Sequence, residues 1–358
     1  MKKIVFLLIV FCCFLNVVSG QVKLNYLDEF IIQDSLTFKN TIVGGLSGID
    51  YAHNTFYFVV DDAQNPRIIS AKIKINDGEI QNVHFTDVVL LEKSKHTFFN
   101  NNTLDLESIF VDEKENIYLA SEGSIKKKKL PSVFKVDKKG IFLERFHLPK
   151  HLSNLKNVKH NAAFEASSRA IHKDGFWIAM EGVLKSDGKE ASFQKTNSPI
   201  RITYIHKSTK KATHQYAYQL EAIPKPPKGN INLNGVTAIL EYKKNSFLVV
   251  ERIYQNGYGA YGNTIKIFEA TVDENTTNTL QIEALVDNVF YPLKKRLLLD
   301  FDDIRNQLTE GIVDNIEGIT FGPKLSNGNQ SLLLVSDDNF QIYGKQLNQL
   351  ILLEIVDK

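Results

Sequence analysis

Five segments of the chain repeat a pairing of side chains that could hold a hard cation. In each, a polar residue followed by a small one opens an apolar stretch, and a downstream run of β-branched and aromatic residues ends in an acid. The polar positions are Ser47, Glu107, Glu165, Asn234 and Glu317, and the acids are Asp61, Glu122, Glu181, Glu251 and Asp337. If each segment is an antiparallel hairpin, the start of its first strand and the end of its second share one edge of the sheet. Ser47 then neighbours Asp61, Glu107 neighbours Glu122, Glu165 neighbours Glu181, Asn234 neighbours Glu251 and Glu317 neighbours Asp337. Carboxylates gathered this closely cannot all ionise without a compensating cation, because like charges raise one another's pKa. The repeated positions carry no cysteine or histidine, and an all-oxygen donor set suits Ca²⁺ or Mg²⁺ far better than zinc. Asp61, Glu107, Glu122, Glu165, Glu181, Glu251, Glu317 and Asp337 are therefore the expected calcium ligands. A bound ion would polarise a phosphate or carbonyl oxygen, with Glu107 or Glu165 taking a proton from water. Arg252, directly after Glu251, is the first candidate to stabilise developing negative charge, with Arg67 and Arg169 next.

The elements that would position these residues are strands. Successive polar positions lie 60, 58, 69 and 83 residues apart, close to one four-stranded propeller blade enlarged by loops. Further strand candidates fall between the repeats, at Arg67 to Ile75, Val133 to Val136, Ile200 to Ile205 and Thr264 to Ala270. Helical periodicity is almost absent; Leu297 to Leu308 reads as a short helix or an insertion loop. The pattern predicts an all-β chain, a single β-propeller domain over residues 21–358 with five to seven blades. Six are preferred, the sixth shared between residues 22 to 35 and a C-terminal strand from Gln349 to Val356. In a radial array of blades the five polar pairs converge on one mouth of the central channel.

The steps Leu46-Ser47-Gly48-Ile49, Asp105-Leu106-Glu107-Ser108-Ile109, Phe164-Glu165, Asn234-Gly235-Val236-Thr237 and Asn315-Ile316-Glu317-Gly318-Ile319 carry a resemblance. Together with Ser121-Glu122-Gly123, Ala179-Met180-Glu181-Gly182, Val250-Glu251-Arg252 and Ser336-Asp337-Asp338-Asn339, they resemble the family called esterase-like activity of phytase, or phytase-like domain, over roughly residues 25 to 355. The likeness implies a secreted β-propeller and hydrolysis of an ester or phosphate ester. The Asp-Asp-Pro-Ala-like strand start of the calcium-dependent propeller phytases is echoed only loosely by Asp61-Asp62-Ala63-Gln64-Asn65-Pro66, so phytate itself is not implied.

Residues 1–20 read as a secretory signal peptide: a basic start at Lys2 and Lys3, an apolar run from Ile4 to Leu15, and small residues before Gly20. Both cysteines, Cys12 and Cys13, fall inside it, so the exported chain has neither a disulfide nor a thiolate metal site. The whole chain has 43 Lys and Arg against 41 Asp and Glu. Setting aside Lys2 and Lys3 leaves no basic excess to suggest nucleic acid. Gly45-Leu46-Ser47-Gly48 is not a nucleophile elbow, and no His-Glu-x-x-His marks a zinc hydrolase. The Asn256 to Gly262 loop carries two tyrosines and stands as a wall of the mouth or a long hairpin turn. Asp300-Phe301-Asp302-Asp303 is a fragment of a calcium loop without its spacing.

The expected protein is an exported monomer, periplasmic or secreted, hydrolysing a small ester or phosphate ester with calcium. The competing readings are a non-catalytic propeller that binds a ligand or partner at the cell envelope, and a lactonase-like propeller hydrolase suggested by Asn234-Gly235.

Overall fold

The computed structural model of the protein describes residues 21–357; the signal segment expected at residues 1–20 lies outside them. Strand β1 (Val22–Ile32) comes first, followed by a short hairpin of β2 (Thr37–Phe38) and β3 (Thr41–Ile42). The first blade is β4 (Leu46–Ala52), β5 (Thr55–Val60), β6 (Arg67–Asn76) and β7 (Glu79–Leu90). After one turn of helix, α1 (Thr97–Asn101), the second is β8 (Leu106–Val111), β9 (Ile117–Ser121), β10 (Ser132–Val136) and β11 (Phe142–Arg145). The third is β12 (Phe164–Arg169), β13 (Gly175–Met180), β14 (Pro199–His206) and β15 (Lys211–Gln219), and the fourth is β16 (Asn232–Lys243), β17 (Ser246–Gln255), β18 (Asn263–Thr271) and β19 (Lys294–Asp300). The last three strands are β20 (Asn315–Lys324), β21 (Gln330–Asp337) and β22 (Asn348–Asp357).

These three make a fifth blade in the order β20-β21-β22-β1, with Val22 opposite Asp357 and Ile32 opposite Asn348. The blade count is thus five, inside the expected range and one below the preferred six. The two terminal segments do not found a further blade; they are the outer pair of the fifth. Inner strands β4, β8, β12, β16 and β20 pack in sequence, and β20 packs back on β4 to close the ring.

Burial follows position in the blade. The middle strands lie between two neighbouring blades, so they read as unbroken apolar runs, such as Leu332-Leu333-Leu334-Val335 and Leu350-Ile351-Leu352-Leu353, all fully buried. The outer strand β7 alternates instead, with Ile80 and Phe85 buried among exposed neighbours. Turn chemistry is local: Asp77-Gly78 links β6 to β7 with φ of 51° and 82°, the two-residue reversal that matches strand twist. The strands expected at 67–75, 133–136, 200–205 and 264–270 are present within one residue at each end. Residues 297–308 are the end of β19 and two 3₁₀ turns, Phe301–Asp303 and Arg305–Gln307. No described helix is long and apolar enough to cross a membrane.

Candidate functional site

Every inner hairpin is irregular at the same place. In blade one Leu46 pairs with Val60 and Gly48 with Val59, leaving Ser47 unpaired as a bulge. Glu107, Glu165 and Glu317 occupy the same bulge in blades two, three and five. A bulge bends its strand and re-aims the extra side chain, which lets these residues project at the rim of the channel. In blade four the bulged residue is Thr237, between the pairs Val236–Glu251 and Ala238–Val250.

That register corrects two expectations. Asn234 is not the blade-four counterpart of Glu107, and the residue matching Glu122, Glu181, Asp61 and Asp337 at the end of the second strand is Arg252, not Glu251. Strand side chains alternate between faces, so Glu251 points away from the channel. Its carboxylate accepts from Tyr218 Oη at 2.6 Å, Asn234 Nδ2 at 2.8 Å and Lys295 Nζ at 2.5 Å, and it is completely buried. Glu251 is thus part of a packed ion pair within the blade and is removed from the candidate ligands. Asn234 is tied to Glu251 and to the Glu221 carbonyl, away from the rim acids. The sequence pattern offered a polar-small pair at Asn234-Gly235, and only the pairing register distinguishes it from Thr237-Ala238.

The other expected ligands converge. Carboxylate oxygens of Glu107, Glu122 and Glu165 lie within 4.8 Å of one another, as do those of Asp61, Asp105 and Glu107. Glu317, Asp337 and Glu181 complete the group, each raised by burial, with Glu317 adding to the charge felt by Asp337. Asp105 was not among the sequence candidates. It precedes β8 by one residue and corresponds to Asn315 in blade five, so the shared polar-x-Glu step of Asp105-Leu106-Glu107 and Asn315-Ile316-Glu317 was the available signal.

Burial and mutual repulsion raise Asp61, Glu107, Glu122, Glu165, Glu317 and Asp337 above the ordinary carboxylate value. Burial first, then Asp105, pushes Asp61 up to about 9; burial and then Glu181 push Glu122 up to about 8. Glu317 rises to about 7, with burial opposed by Arg252. Glu107 and Glu165 are raised well above the ordinary carboxylate value by burial, Glu107 further by Glu165, and Glu165 further by Glu181. Eight carboxylates face one guanidinium. Arg252 donates to Glu317 Oε1 at 2.6 Å, to Glu181 Oε1 at 3.1 Å and to Asn315, and Asn315 Nδ2 donates to the same Glu317 oxygen at 2.8 Å. Its guanidinium therefore clamps blade three to blade five as the counter-ion of Glu181 and Glu317. Arg67 is taken up by Asp62 and the Ile42 carbonyl, and Arg169 sits with Asp50 and Tyr51 toward the other end of the inner strands.

The backbone around the acids is fitted to them. A Cβ on Gly235 would stand 2.5 Å from Glu181 Cγ, so glycine there leaves room for the carboxylate. Ala163 N–H donates to Glu122 at 2.5 Å and Asn339 N–H to Asp337 at 2.7 Å. The two bulges without a carboxylate carry hydroxyls that bind across to the next blade: Ser47 Oγ donates to the Leu106 carbonyl at 2.6 Å and Thr237 Oγ1 to the Ile316 carbonyl at 2.8 Å. Below the acids the channel narrows to a cavity of about 10 Å³ lined in part by Ile49, Ile109, Ile239 and Ile319, room for about one water.

The donor set suits a hard divalent cation. Two oxygens on one calcium at ~2.4 Å lie at most ~4.8 Å apart, a limit that both triads meet. Glu107 belongs to both.

Solved structures similar to the chain include an endo-arabinase from Bacteroides thetaiotaomicron, at 9% identity and a TM-score of 0.45 over 88% of this chain and 95% of that one. The Dos1 propeller matches at 8% and 0.36 over 88% and 69% of the two chains. Kuenenia stuttgartiensis hydrazine synthase matches at 8% and 0.36 over 81% and 64%. Likenesses this distant carry no functional argument. No curated protein matches the chain in sequence. The profile of the phytase-like family, described as esterase-like activity of phytase, matches residues 41–340 and so spans all four complete blades and the inner hairpin of the fifth, with the whole bulged acidic rim: the chain belongs to that family.

Proposed function

We propose that the protein is an exported, calcium-dependent phosphoesterase or esterase-like hydrolase acting at the mouth of the propeller. The observation that carries this reading is the convergence of eight carboxylates around one arginine, buried enough that their negative charge calls for a cation. Asp61, Asp105, Glu107, Glu122 and Glu165 are the residues that would hold calcium. The ion would supply Lewis-acid polarisation of a phosphate or carbonyl oxygen. Glu107 or Glu165 would accept a proton from water: burial raises both carboxyls above the ordinary value, which makes each a stronger base once a cation has displaced its proton. Glu181, Glu317 and Arg252 form the salt-bridged side of the mouth that keeps the acids in register. Export rests on the composition of residues 1–20.

The test is phosphate release from inositol hexakisphosphate and from 4-nitrophenyl phosphate, and nitrophenol release from 4-nitrophenyl acetate, with calcium present and then chelated. Turnover that requires calcium and is lost in Glu107→Gln supports the reading. Calcium binding without turnover on any of the three would move the protein to the class of ligand-binding propellers.

A further inference from the structure

The same face of the molecule carries a second concavity of opposite charge. At its open end the β16–β17 pair runs past Arg252 by three residues, to Gln255 opposite Asn232, which at about 3.3 Å per residue carries that end roughly 10 Å above the acids. Behind it lies a cleft of about 530 Å³ lined by Lys225, Lys228, Gly257, Tyr258, Tyr261, Asp302 and Arg305. The volume is that of a small-molecule site. Three cations stand against one carboxylate, a surplus of two positive charges.

The cations do not share one role. Arg305 donates to Asp302 at 2.6 Å and to the Asn263 and Gly311 carbonyls, and its guanidinium lies 5.2 Å from the Tyr261 ring centre. It builds the wall. Lys225 donates to the Tyr261 carbonyl at 2.9 Å and to Thr264 Oγ1, leaving a third N–H. Lys228 has no anionic or hydrogen-bonding partner among the described residues; its ammonium stands over the Tyr258 ring at 4.1 Å. The backbone that presents the two lysines is Pro224-Lys225-Pro226-Pro227-Lys228. Three prolines fix φ along it, and Tyr258 Oη donates to the Pro226 carbonyl at 2.7 Å. The backbone that carries the lysines is thus set before any ligand arrives, which lowers part of the ordering cost of binding. Tyr261 is 58% exposed at the lip, with Arg305 beside its ring and the rest of the ring open to the cleft.

We infer that this cleft is a binding site for a phosphate monoester of a ring compound, separate from the acidic mouth: Lys228 and Lys225 take the dianion, and Tyr258 and Tyr261 take the ring. The two surplus charges match a dianion, and the tyrosine faces match a flat organic portion. The site stands whether or not the mouth hydrolyses anything.

The experiment is calorimetric titration of the purified protein with phenyl phosphate and with inorganic phosphate, at low salt with calcium chelated. Phenyl phosphate should bind saturably, and Lys228→Glu should weaken it at least about tenfold, the equivalent of about 1.4 kcal/mol. Tyr261→Ala should weaken phenyl phosphate and leave inorganic phosphate unchanged. Both residues are exposed on loops, and an unaltered melting temperature confirms that the variants fold. The inference is overturned if phenyl phosphate does not bind, if Lys228→Glu binds it as the parent does, or if binding needs calcium, which would place the ligand at the mouth.

Discussion

Two glutamates that the sequence placed in one set have opposite surroundings, and substitution should separate them. Glu107 is repelled by Glu165, Asp61 and Glu122, so Glu107→Gln should leave the melting temperature unchanged or raise it, while removing most of the stabilisation that added calcium provides. Glu251 is the buried partner of Lys295, Tyr218 and Asn234. Glu251→Ala leaves Lys295 with the half-exposed Glu221 as its remaining anionic partner and Tyr218 and Asn234 without their acceptor, and should cost about 3 kcal/mol with the calcium response retained. Thermal melts with and without calcium read both outcomes; equal behaviour of the two variants would refute the division. The same group of acids sets a pH dependence. Their folded pKa values lie above the unfolded carboxylate value, so between about pH 4 and pH 9 the folded state binds more protons than the unfolded one, and stability falls as pH rises. With Glu317 at about 7, Glu122 at about 8 and Asp61 at about 9, the calcium-free protein should melt on the order of 5 °C lower at pH 8.5 than at pH 5.5. Calcium should flatten that slope, since it replaces the protons.

At the scale of the element, the bulge decides which residues reach the rim. Thr237→Val removes the hydroxyl that bridges blade four to the Ile316 carbonyl and should cost about 1–2 kcal/mol. Gly235→Ala forces Glu181 away from Arg252 and should weaken calcium binding as well as stability, which a calcium titration of the variant would read. Strand positions were legible in the sequence because β-branched and aromatic runs are bounded by turn residues, as at Arg67–Asn76 and Asn263–Thr271. The acids at Asp61, Glu107, Glu122, Glu165, Glu181, Glu317 and Asp337 were legible too, because their repetition follows from hairpin geometry. Blade four was misread for a physical reason. A bulge adds one residue to one strand, and nothing in the residue types of Asn234-Gly235-Val236-Thr237 says where the extra residue falls. The shift moves the rim position to Thr237 on one strand and from Glu251 to Arg252 on the other, turning an expected carboxylate into the one cation among the acids. Asp105 was missed because only blade five repeats its polarity, as Asn315.

For the molecule as a whole, five blades are held in a ring by the pairing of β1 with β22 across ten residue pairs. Deleting residues 22–32 should expose the edge of β22 and lower the melting temperature by on the order of 10 °C, with loss of a single cooperative transition. A deletion variant that melts like the parent would show that inner-strand packing alone holds the ring. The blade count could not be read from spacing, since an outer strand borrowed from the other terminus leaves no gap in the repeat.

The closure has a consequence for biogenesis. A chain that emerges amino end first releases β1 long before β22 exists, so the strand made earliest waits longest for its partner. During that wait an eleven-residue strand with open hydrogen-bonding edges is a template for pairing with other chains. Strand β1 bears Lys23, Asp28 and Glu29, and its central positions are only partly buried even in the finished ring. Those charges act as gatekeepers that discourage such pairing, and they assign to β1 a duty that ends when the propeller closes: to stay single.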